Sequence, residues 1–489
     1  MKVKLILITL MFFMFLTISV CLGYSENGIH TNINVFNVPG TVNNGSSAGM
    51  GLPSILLEDD YNSFNNPSQL MQYGTAYGEL WSGNAWGGAT FVLFGIKFGV
   101  FLGRPYEGYA PNFMNWPDTV TGSGSETMNL FLNNYQNAGN ITAINNNPGL
   151  TGGAVLTPVN HADFFTGIKF DSMAIGAKFT YADNSDSVEF ESIESPTNTA
   201  ISNFGKVSKN RSVADHHITL GFLFFNFGPF RTLDVSFDLG LLSFENSYKE
   251  NGRKDNRTAE NIWQSDNNPT LRFLLRPIMD LGIGTLIVPV SLTLIDTSSK
   301  GTRRHDLDGN GLFTDAADRN DGFTLEDKQT DLIVDLALHT KPTKELKVIY
   351  ATGLNSSKRE KTSTINSNLG TANKISERSE TTSLTIPFGI SVEHQTLSWL
   401  LLRFGAHKII FVNNEIKATD ENYQGNVIKN TITSTTSDQR DITNEFQISL
   451  GIGMRPLSKV DIDWALNAAV NQTYTFNNIV SRLSLKYHY

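Results

Sequence analysis

A run of acidic residues after position 305 has the spacing of a cation-binding loop. It reads DLDGNGLFTDAAD from Asp306. Calcium loops of the EF-hand type place oxygen ligands at alternate positions, with a glycine at the bend. The predicted ligands are Asp306, Asp308, Asn310, Leu312, Asp315 and Asp318. The twelfth position is Ala317 instead of a bidentate carboxylate, so two interpretations stay open: a Ca²⁺ site, or an acidic loop exposed to solvent.

The sequence shows no arrangement of residues for catalysis. The nine His occur without an HExxH spacing, and neither a GxSxG turn nor a phosphate-binding glycine loop is present. Cys21 is the single cysteine and lies near the N-terminus, so cysteine catalysis and thiolate metal sites are excluded after it. We predict no catalytic residue, no cofactor other than the Ca²⁺ considered above, and no enzymatic activity.

A larger set of ionisable residues lies in segments that alternate apolar and polar positions. These residues share the polar face of their segments and are predicted to line an enclosed interior. The set is Asp234, Asp238, Arg272, Arg276, Asp331, Asp335, Lys347, Glu393, Arg403, Glu445, Asp461, Asp463, Arg482 and Lys486. Two interpretations stay open: cross-strand ion pairs that satisfy one another, or a polar lining that selects solutes.

The segments that carry these charges have the period of β-strands. At the C-terminus, SRLSLKYHY places Leu483, Leu485, Tyr487 and Tyr489 on one face and the polar residues on the other. The same pattern recurs through the chain and predicts about fourteen to sixteen strands.

The connections between these strands alternate between short and long. The short ones fall near 171–172, 227–230, 281–283, 341–343, 395–396 and 455–458, and the long polar ones at 183–214, 244–268, 297–328, 356–379 and 413–440. In an up-and-down meander all short turns share one rim, which is typical of outer-membrane barrels. We predict an all-β, transmembrane antiparallel up-and-down β-barrel of about 14–16 strands. The alternative is a soluble sandwich or propeller.

The net charge and the N-terminal sequence indicate the kind of partner and the cellular location. The net charge of -9, with only 17% charged residues, argues against a nucleic-acid partner. Residues 1–23 have two lysines and then an apolar run, which predicts a cleaved secretory signal. A retained transmembrane helix and lipid attachment at Cys21 are the alternatives. With the barrel pattern, the signal predicts the bacterial outer membrane.

The stretch before the first strand resembles a known family. It runs from Gly49 to Gly74 and contains the pair Asp59-Asp60 and then Asn66-Pro67-Ser68-Gln69-Leu70. This resembles the N-terminal motif of the FadL/PorV-type outer-membrane β-barrel family, with Ser-Gln in place of Ala-Gly. The resemblance implies a segment folded into the lumen as a hatch and about fourteen strands around it. The expected domains are a signal (1–23), a hatch (24–72) and a barrel with long external loops (73–489).

These features predict a porin-like protein for passive transport of small solutes, hydrophobic ones included, past an N-terminal hatch. The alternative is a structural or partner-binding barrel, such as a sheath for an electron-transfer cytochrome or a secretion-linked carrier. The expected partners are outer-membrane lipid, the barrel-insertion machinery that reads the C-terminal aromatic strand, and either a hydrophobic ligand or a periplasmic or surface protein.

Overall fold

The structure is a computed structural model. It describes residues 45–81, 84–106, 156, 158–191, 204–252, 258–306, 319–367, 374–424, 427–440, 446–470 and 476–489. These form one helix, α1 (Gly45–Met50), and three 3-10 helices, Ser54–Leu56, Asp60–Phe64 and Pro67–Gln72. None of the described helices is long and apolar enough to cross a membrane.

The described strands all belong to one antiparallel sheet. They are β1 (Thr75–Trp81), β2 (Asn84–Leu93), β3 (Ile96–Leu102), β4 (Asn160–Lys169), β5 (Met173–Glu191), β6 (Phe204–Phe227), β7 (Phe230–Gly252), β8 (Thr258–Leu281), β9 (Gly284–Ile287), β10 (Val290–Asp306), β11 (Arg319–Thr340), β12 (Leu346–Ser367), β13 (Lys374–Leu397), β14 (Leu400–Gln424), β15 (Val427–Arg440), β16 (Phe446–Leu457), β17 (Val460–Val470) and β18 (Phe476–His488).

The sheet closes on itself, because β1 pairs with β2 on one side and with β18 on the other. The eighteen segments occupy sixteen positions around the ring. Both β9 and β10 lie between β8 and β11, and both β15 and β16 pair with β14. Pro289 separates β9 from β10 because proline cannot donate to the ladder. The ring is therefore wider than the roughly fourteen strands that the resemblance implies.

The two faces of the wall differ as the alternation predicts. On β18, Leu485 and Tyr487 are 52% and 44% exposed on the outside, whereas Arg482 and Ser484 are buried inside. A continuous belt of exposed apolar side chains is unstable in water but suits lipid. The predicted transmembrane up-and-down β-barrel is confirmed.

The predicted long external loops are wrong in one respect: most of their described residues are strand. The seven strands β6, β7, β8, β11, β12, β13 and β14 have 22 to 25 residues, whereas about 9–11 residues cross a membrane. Their outer halves carry polar residues on both faces, so the apolar–polar alternation that identifies a strand is missing there.

The outer part of the wall is held by the backbone ladder and by exposed charges. Lys358 lies 2.8 Å from Glu360 and 3.3 Å from Glu380. The hydrogen bond from Lys358 lowers the pKa of Glu360, and the same bond raises the pKa of Lys358. The described strands β1 to β4 and β16 to β18 have only 7 to 13 residues.

Residues 45–73, which we call the inner segment, lie inside the ring. The helix α1 contacts β13, β14, β16, β17 and β18, while the 3-10 helix Pro67–Gln72 contacts β3 to β6. A segment that touches so many positions around a closed ring must pass through its interior. The expected hatch begins at residue 24, but residues 24–44 are outside the described part of the chain.

Two apolar clusters and three wall glycines seat the inner segment. Leu52, Ile55 and Leu56 pack against wall residues such as Leu274 and Ile349. The second cluster is aromatic and joins Tyr61, Phe64 and Leu70 to Tyr77, Trp86, Phe101 and Phe165. Burial of each large side chain contributes about 1.5–3 kcal/mol. At Gly176, Gly221 and Gly451, an added Cβ would lie 2.0–2.7 Å from an atom of the inner segment.

Candidate functional site: a cation-lined cavity above the inner segment

A cavity lies directly against the inner segment, on the side of the long strand ends. It has a volume of about 70 Å³ and opens to solvent. Its lining is Phe64, Asn65, Arg104, Tyr106, His161, Lys178, Thr180, His217, Thr219, Ser236, Asp238, Thr270 and Arg272.

Strand parity brings these side chains together. Lys178 pairs in register with Thr219 across β5 and β6, and Asp238 pairs with both Thr219 and Arg272 across β6, β7 and β8. Their neighbours in sequence face outward: Phe179 and Phe237 are 42% and 50% exposed. The lining is therefore the polar face of β5 to β8, as the alternation requires.

The inner segment forms one side of the cavity and is held there by two cations of the wall. The Nζ atom of Lys178 donates to the backbone oxygen of Phe64 at 2.8 Å. The Nη2 atom of Arg272 donates to Oδ1 of Asn65 at 3.3 Å. The hydroxyl of Ser236 adds a bond to the backbone oxygen of Asn65 at 2.9 Å. The cavity and the inner segment thus share the same cations.

A third cation lies beside the mouth of the cavity. The Nε atom of Arg104 donates to Asp163 at 2.8 Å, and its guanidinium lies 4.9 Å from the centre of the Phe64 ring. Asp163 also accepts a hydrogen bond from the hydroxyl of Thr180 at 2.7 Å. Asp163 is fully buried, so these donors compensate its burial.

His217 is held between two carboxylates. Its Nδ1 lies 2.8 Å from Asp238 and its Nε2 lies 3.1 Å from Asp215. Because a carboxylate only accepts hydrogen bonds, both ring nitrogens carry a proton and His217 is an imidazolium. Tyr106 donates to Asp215 as well. With both nitrogens occupied, His217 cannot serve as a general base in this arrangement.

The ionisable groups of the described residues around the cavity include more positive than negative ones. The positive groups are Arg104, Lys178, Arg272 and the imidazolium of His217, and the carboxylates are Asp163, Asp215 and Asp238. Four positive charges face three negative ones, so these groups have an excess of one positive charge. Phe64 and Tyr106 supply aromatic surface next to them.

Of the predicted lining residues, Asp238 and Arg272 lie in this cavity and Asp234 and Arg276 lie beneath it. Asp234 and Arg276 form a buried ion pair at 2.6 Å. Arg276 also donates to the backbone oxygen of Ile55 at 2.6 Å, and Gln69 donates to Asp234 at 2.7 Å. This pair joins the wall to both halves of the inner segment.

The remaining predicted lining residues are spread around the ring. Arg403 pairs with Glu393 and Asp463 at 2.7 and 2.5 Å, and Arg482 lies 3.7 Å from Glu79. Lys486 on β18 lies 2.7 Å from Asp60 of the inner segment. Asp461 on β17 accepts hydrogen bonds from Arg455 and His488 of the wall.

Three other lining residues lie on β11 and β12. Lys347 is in register with Glu393, and Asp331 accepts from Gln329 at 2.7 Å. Asp335 is fully buried, and neither of its carboxylate oxygens has a hydrogen-bond partner in the described residues. Glu445 is outside the described part of the chain.

The predicted Ca²⁺ ligands are almost all outside the described residues. Asp306 ends β10 and is buried, whereas Asp308, Asn310, Leu312, Asp315 and Asp318 are not described. Within the described ranges, no cluster of three or more His, Cys, Asp or Glu is arranged to hold a metal ion. The Ca²⁺ site stays a prediction.

Sequence reasoning did not select Arg104, His161, Asp163, Asp215 or His217 as site residues. A signal for four of them was available. Since Phe164 faces outward, parity places His161 and Asp163 inside on β4, and the spacing of Asp215 and His217 places both inside on β6. Arg104 and Tyr106 follow the end of β3, where strand parity no longer predicts direction.

The closed ring, the apolar outer belt and the occupied interior define a transmembrane β-barrel with an internal segment. No protein-family model matches the chain, and no curated protein matches it.

Solved structures of similar size show a low overall likeness. A FadL homologue from Pseudomonas aeruginosa is 12% identical with a TM-score of 0.38, covering 92% of this chain and 100% of the other. The toluene transporter TbuX from Ralstonia pickettii is 9% identical, with a TM-score of 0.38 and coverages of 92% and 99%. The toluene transporter TodX from Pseudomonas putida is 12% identical, with a TM-score of 0.34 and coverages of 93% and 98%.

Proposed function

We propose that this chain is a bacterial outer-membrane barrel through which small solutes diffuse passively, past the inner segment. The proposal rests on the cavity, because Phe64 and Asn65 of that segment form part of its lining. A solute bound there touches the element that must move before it can pass. No covalent step is involved, so the proposed function is not enzymatic.

The lining of the cavity bears on the kind of solute. Eleven of its thirteen residues are polar or charged besides the aromatic Phe64 and Tyr106. A bare hydrocarbon would exclude water from these polar groups without replacing any hydrogen bond to it, which is unfavourable. We therefore narrow the predicted hydrophobic solute to one that combines an apolar body with a polar group.

The proposal is tested by solute entry into liposomes that contain the purified full chain. Small neutral and charged solutes should enter faster than into protein-free liposomes, and entry should be independent of any energy source. Equal rates with and without the protein for every solute would overturn the proposal.

A second candidate is a structural or partner-binding barrel. The outer halves of the seven long strands, such as β6 and β14, favour it, since they extend well beyond the residues that cross the membrane and offer a surface to another protein. A stoichiometric protein partner recovered from native membranes, together with no solute entry by the purified chain, would favour this candidate.

We also propose that outer-membrane lipid surrounds the apolar belt and that the insertion machinery reads β18. Tyr489 joins the end of the last strand to the first two strands. Its hydroxyl lies 2.6 Å from Oγ1 of Thr90 on β2, and its backbone NH donates to the oxygen of Gly74, just before β1, at 3.3 Å. Removal of Tyr489 should lower the yield of barrel in the membrane. An unchanged yield would contradict this role.

A further inference from the structure

The tip of the β2–β3 hairpin exposes large apolar side chains. Leu93 and Ile96 are the last pair in register, so Phe94 and Gly95 form a loop of two residues. Leu93 is 49% exposed and Phe94 is 93% exposed. A hairpin loop that faces water normally carries Asn, Asp or Gly at these positions. The apolar tip therefore indicates a contact with something other than water.

Phe94 also has an unfavourable backbone conformation. Its φ is +52° and that of Gly95 is +80°. Asn226, in another short turn, has the same φ of +52°, but Asn tolerates this left-handed region, whereas a bulky aromatic residue does not. Phe94 is thus both strained and exposed. Burial of its ring in apolar surroundings would offset these two costs.

The exposed tip is continuous with the apolar belt on the outside of the barrel. Just behind the tip, Phe91 stacks on Phe98 with their ring centres 5.6 Å apart. The next two short turns around the ring expose Phe170, at 48%, and Phe227, at 55%. The surface that meets lipid higher on the wall therefore extends to the ends of these three turns.

A cation lies at the border of this apolar surface. Lys169 is exposed, and its Nζ atom lies 4.9 Å from the centre of the Phe225 ring. A lysine beside exposed aromatic rings suits the headgroup layer of a membrane, where its stem covers apolar surface and its ammonium meets phosphate. Lipid is therefore the partner that both the belt and the charge fit.

The turn on the opposite side of the ring has a different character. The β11–β12 turn reads KPTKE at 341–345, and all five residues are exposed. The β2–β3 and β11–β12 hairpins are eight of the sixteen ring positions apart, so they face each other across the barrel. One side of the short-turn rim thus suits lipid and the other suits water.

We propose that the β2–β3 tip enters the inner leaflet of the outer membrane with Phe94 as its anchor, while the β11–β12 turn stays in the periplasm. The short turns of outer-membrane barrels face the periplasm, so the rim is sunk in the membrane on one side only. This inference concerns how the barrel sits in the membrane, and it does not depend on solute transport.

Fluorescent labels at the two turns report their depth. The chain has a single natural cysteine, so Leu93→Cys or Lys344→Cys in a Cys21→Ser background gives one thiol for the environment-sensitive dye NBD. The labelled full chain is placed in liposomes, and quenching is measured with nitroxide-labelled phospholipids and with iodide on both sides of the membrane. Nitroxide should quench the label at 93 severalfold more than the label at 344, and iodide should do the reverse.

Variants of Phe94 test the anchor while the label stays at position 93. Phe94→Asn places a residue that tolerates this turn, so the barrel should still fold. It should reduce nitroxide quenching severalfold and increase iodide quenching. Phe94→Trp keeps an aromatic ring suited to the membrane interface and should behave as the parent.

The possible outcomes support or overturn the inference. Equal iodide quenching at positions 93 and 344 would overturn the uneven depth of the rim. Unchanged nitroxide quenching in a folded Phe94→Asn variant would overturn the role of Phe94. Protection of the label at 93 from iodide in native membranes but not in liposomes would indicate a protein on the tip and would overturn the lipid contact.

Discussion

Arg276 and Asp234 form a buried ion pair, 2.6 Å long, that joins the barrel wall to the inner segment. Arg276 reaches the backbone oxygens of Ile55 and Leu57, and Asp234 accepts from Gln69. Their strands place them directly opposite each other in register. The pair is therefore a polar clamp on two separate parts of the inner segment.

Loss of this clamp should destabilise the barrel and free the inner segment. Arg276→Met leaves the buried Asp234 without its cation, and breaking such a pair costs about 3–5 kcal/mol. The free energy of unfolding in detergent should fall by that amount, and solute entry should rise. The double variant with Asp234→Asn should recover part of the stability, since no unpaired carboxylate is left. Unchanged unfolding in Arg276→Met would contradict the clamp.

A side chain at Gly221 should displace the inner segment. An added Cβ would lie 2.0 Å from Oδ1 of Asn66 and 2.8 Å from Cδ of Pro67, so something must shift. We expect Gly221→Ala to raise solute entry into liposomes. Gly282→Ala is the control, because an added Cβ there meets no atom within 4 Å. Similar solute entry through the two variants would show that the inner segment does not pack closely against Gly221.

Lys486 should hold the inner segment from the opposite side of the ring. It lies 2.7 Å from Asp60 and 3.8 Å from Asp59. Lys486→Met should lower the unfolding temperature, because two carboxylates then lose their nearest cation. Lys249→Met, which removes a side chain that is 56% exposed beside Glu260, should have little effect. An equal fall in the unfolding temperature for the two variants would show that Lys486 contributes no more to stability than an exposed lysine.

The apolar belt on the outside of the barrel predicts that a lysine introduced there destabilises the barrel more than one placed farther out along the same strand. Leu220 is 49% exposed on the outside of β6, within the apolar part of the strand. Leu220→Lys should destabilise the barrel in lipid by about 2–4 kcal/mol. Asn210→Lys, farther out on the same strand, should be nearly neutral. The measurement is unfolding in lipid vesicles, and equal costs at the two positions would place the membrane boundary elsewhere.

The part of the wall within the membrane could be predicted from the sequence because its two faces meet different environments, lipid on the outside and the polar interior on the inside. Leu485 and Tyr487 meet lipid while Arg482 and Ser484 face inward, so a period of two is visible. In the outer halves of the strands both faces meet water. There the hydrogen-bonded ladder, as between Lys358 and Thr382, and exposed ion pairs hold the sheet, and the sequence shows no alternation of apolar and polar residues.

The site could be predicted only in part, because its contacts are not local. The pair of Asp234 and Arg276 follows from two neighbouring strands of predicted parity. In contrast, Arg403 reaches Asp463 beyond the intervening strand β16, and Lys486 reaches Asp60 of the inner segment. Such contacts depend on the diameter of the ring and on the path of the inner segment, neither of which the alternation of residues determines.

Entry of small solutes into liposomes containing the purified chain tests the central claim most directly. We predict faster entry than into protein-free liposomes, and a further increase with Gly221→Ala because the inner segment is displaced. Entry at the protein-free rate for both chains, with the barrel folded in the membrane, would contradict a solute path through the lumen.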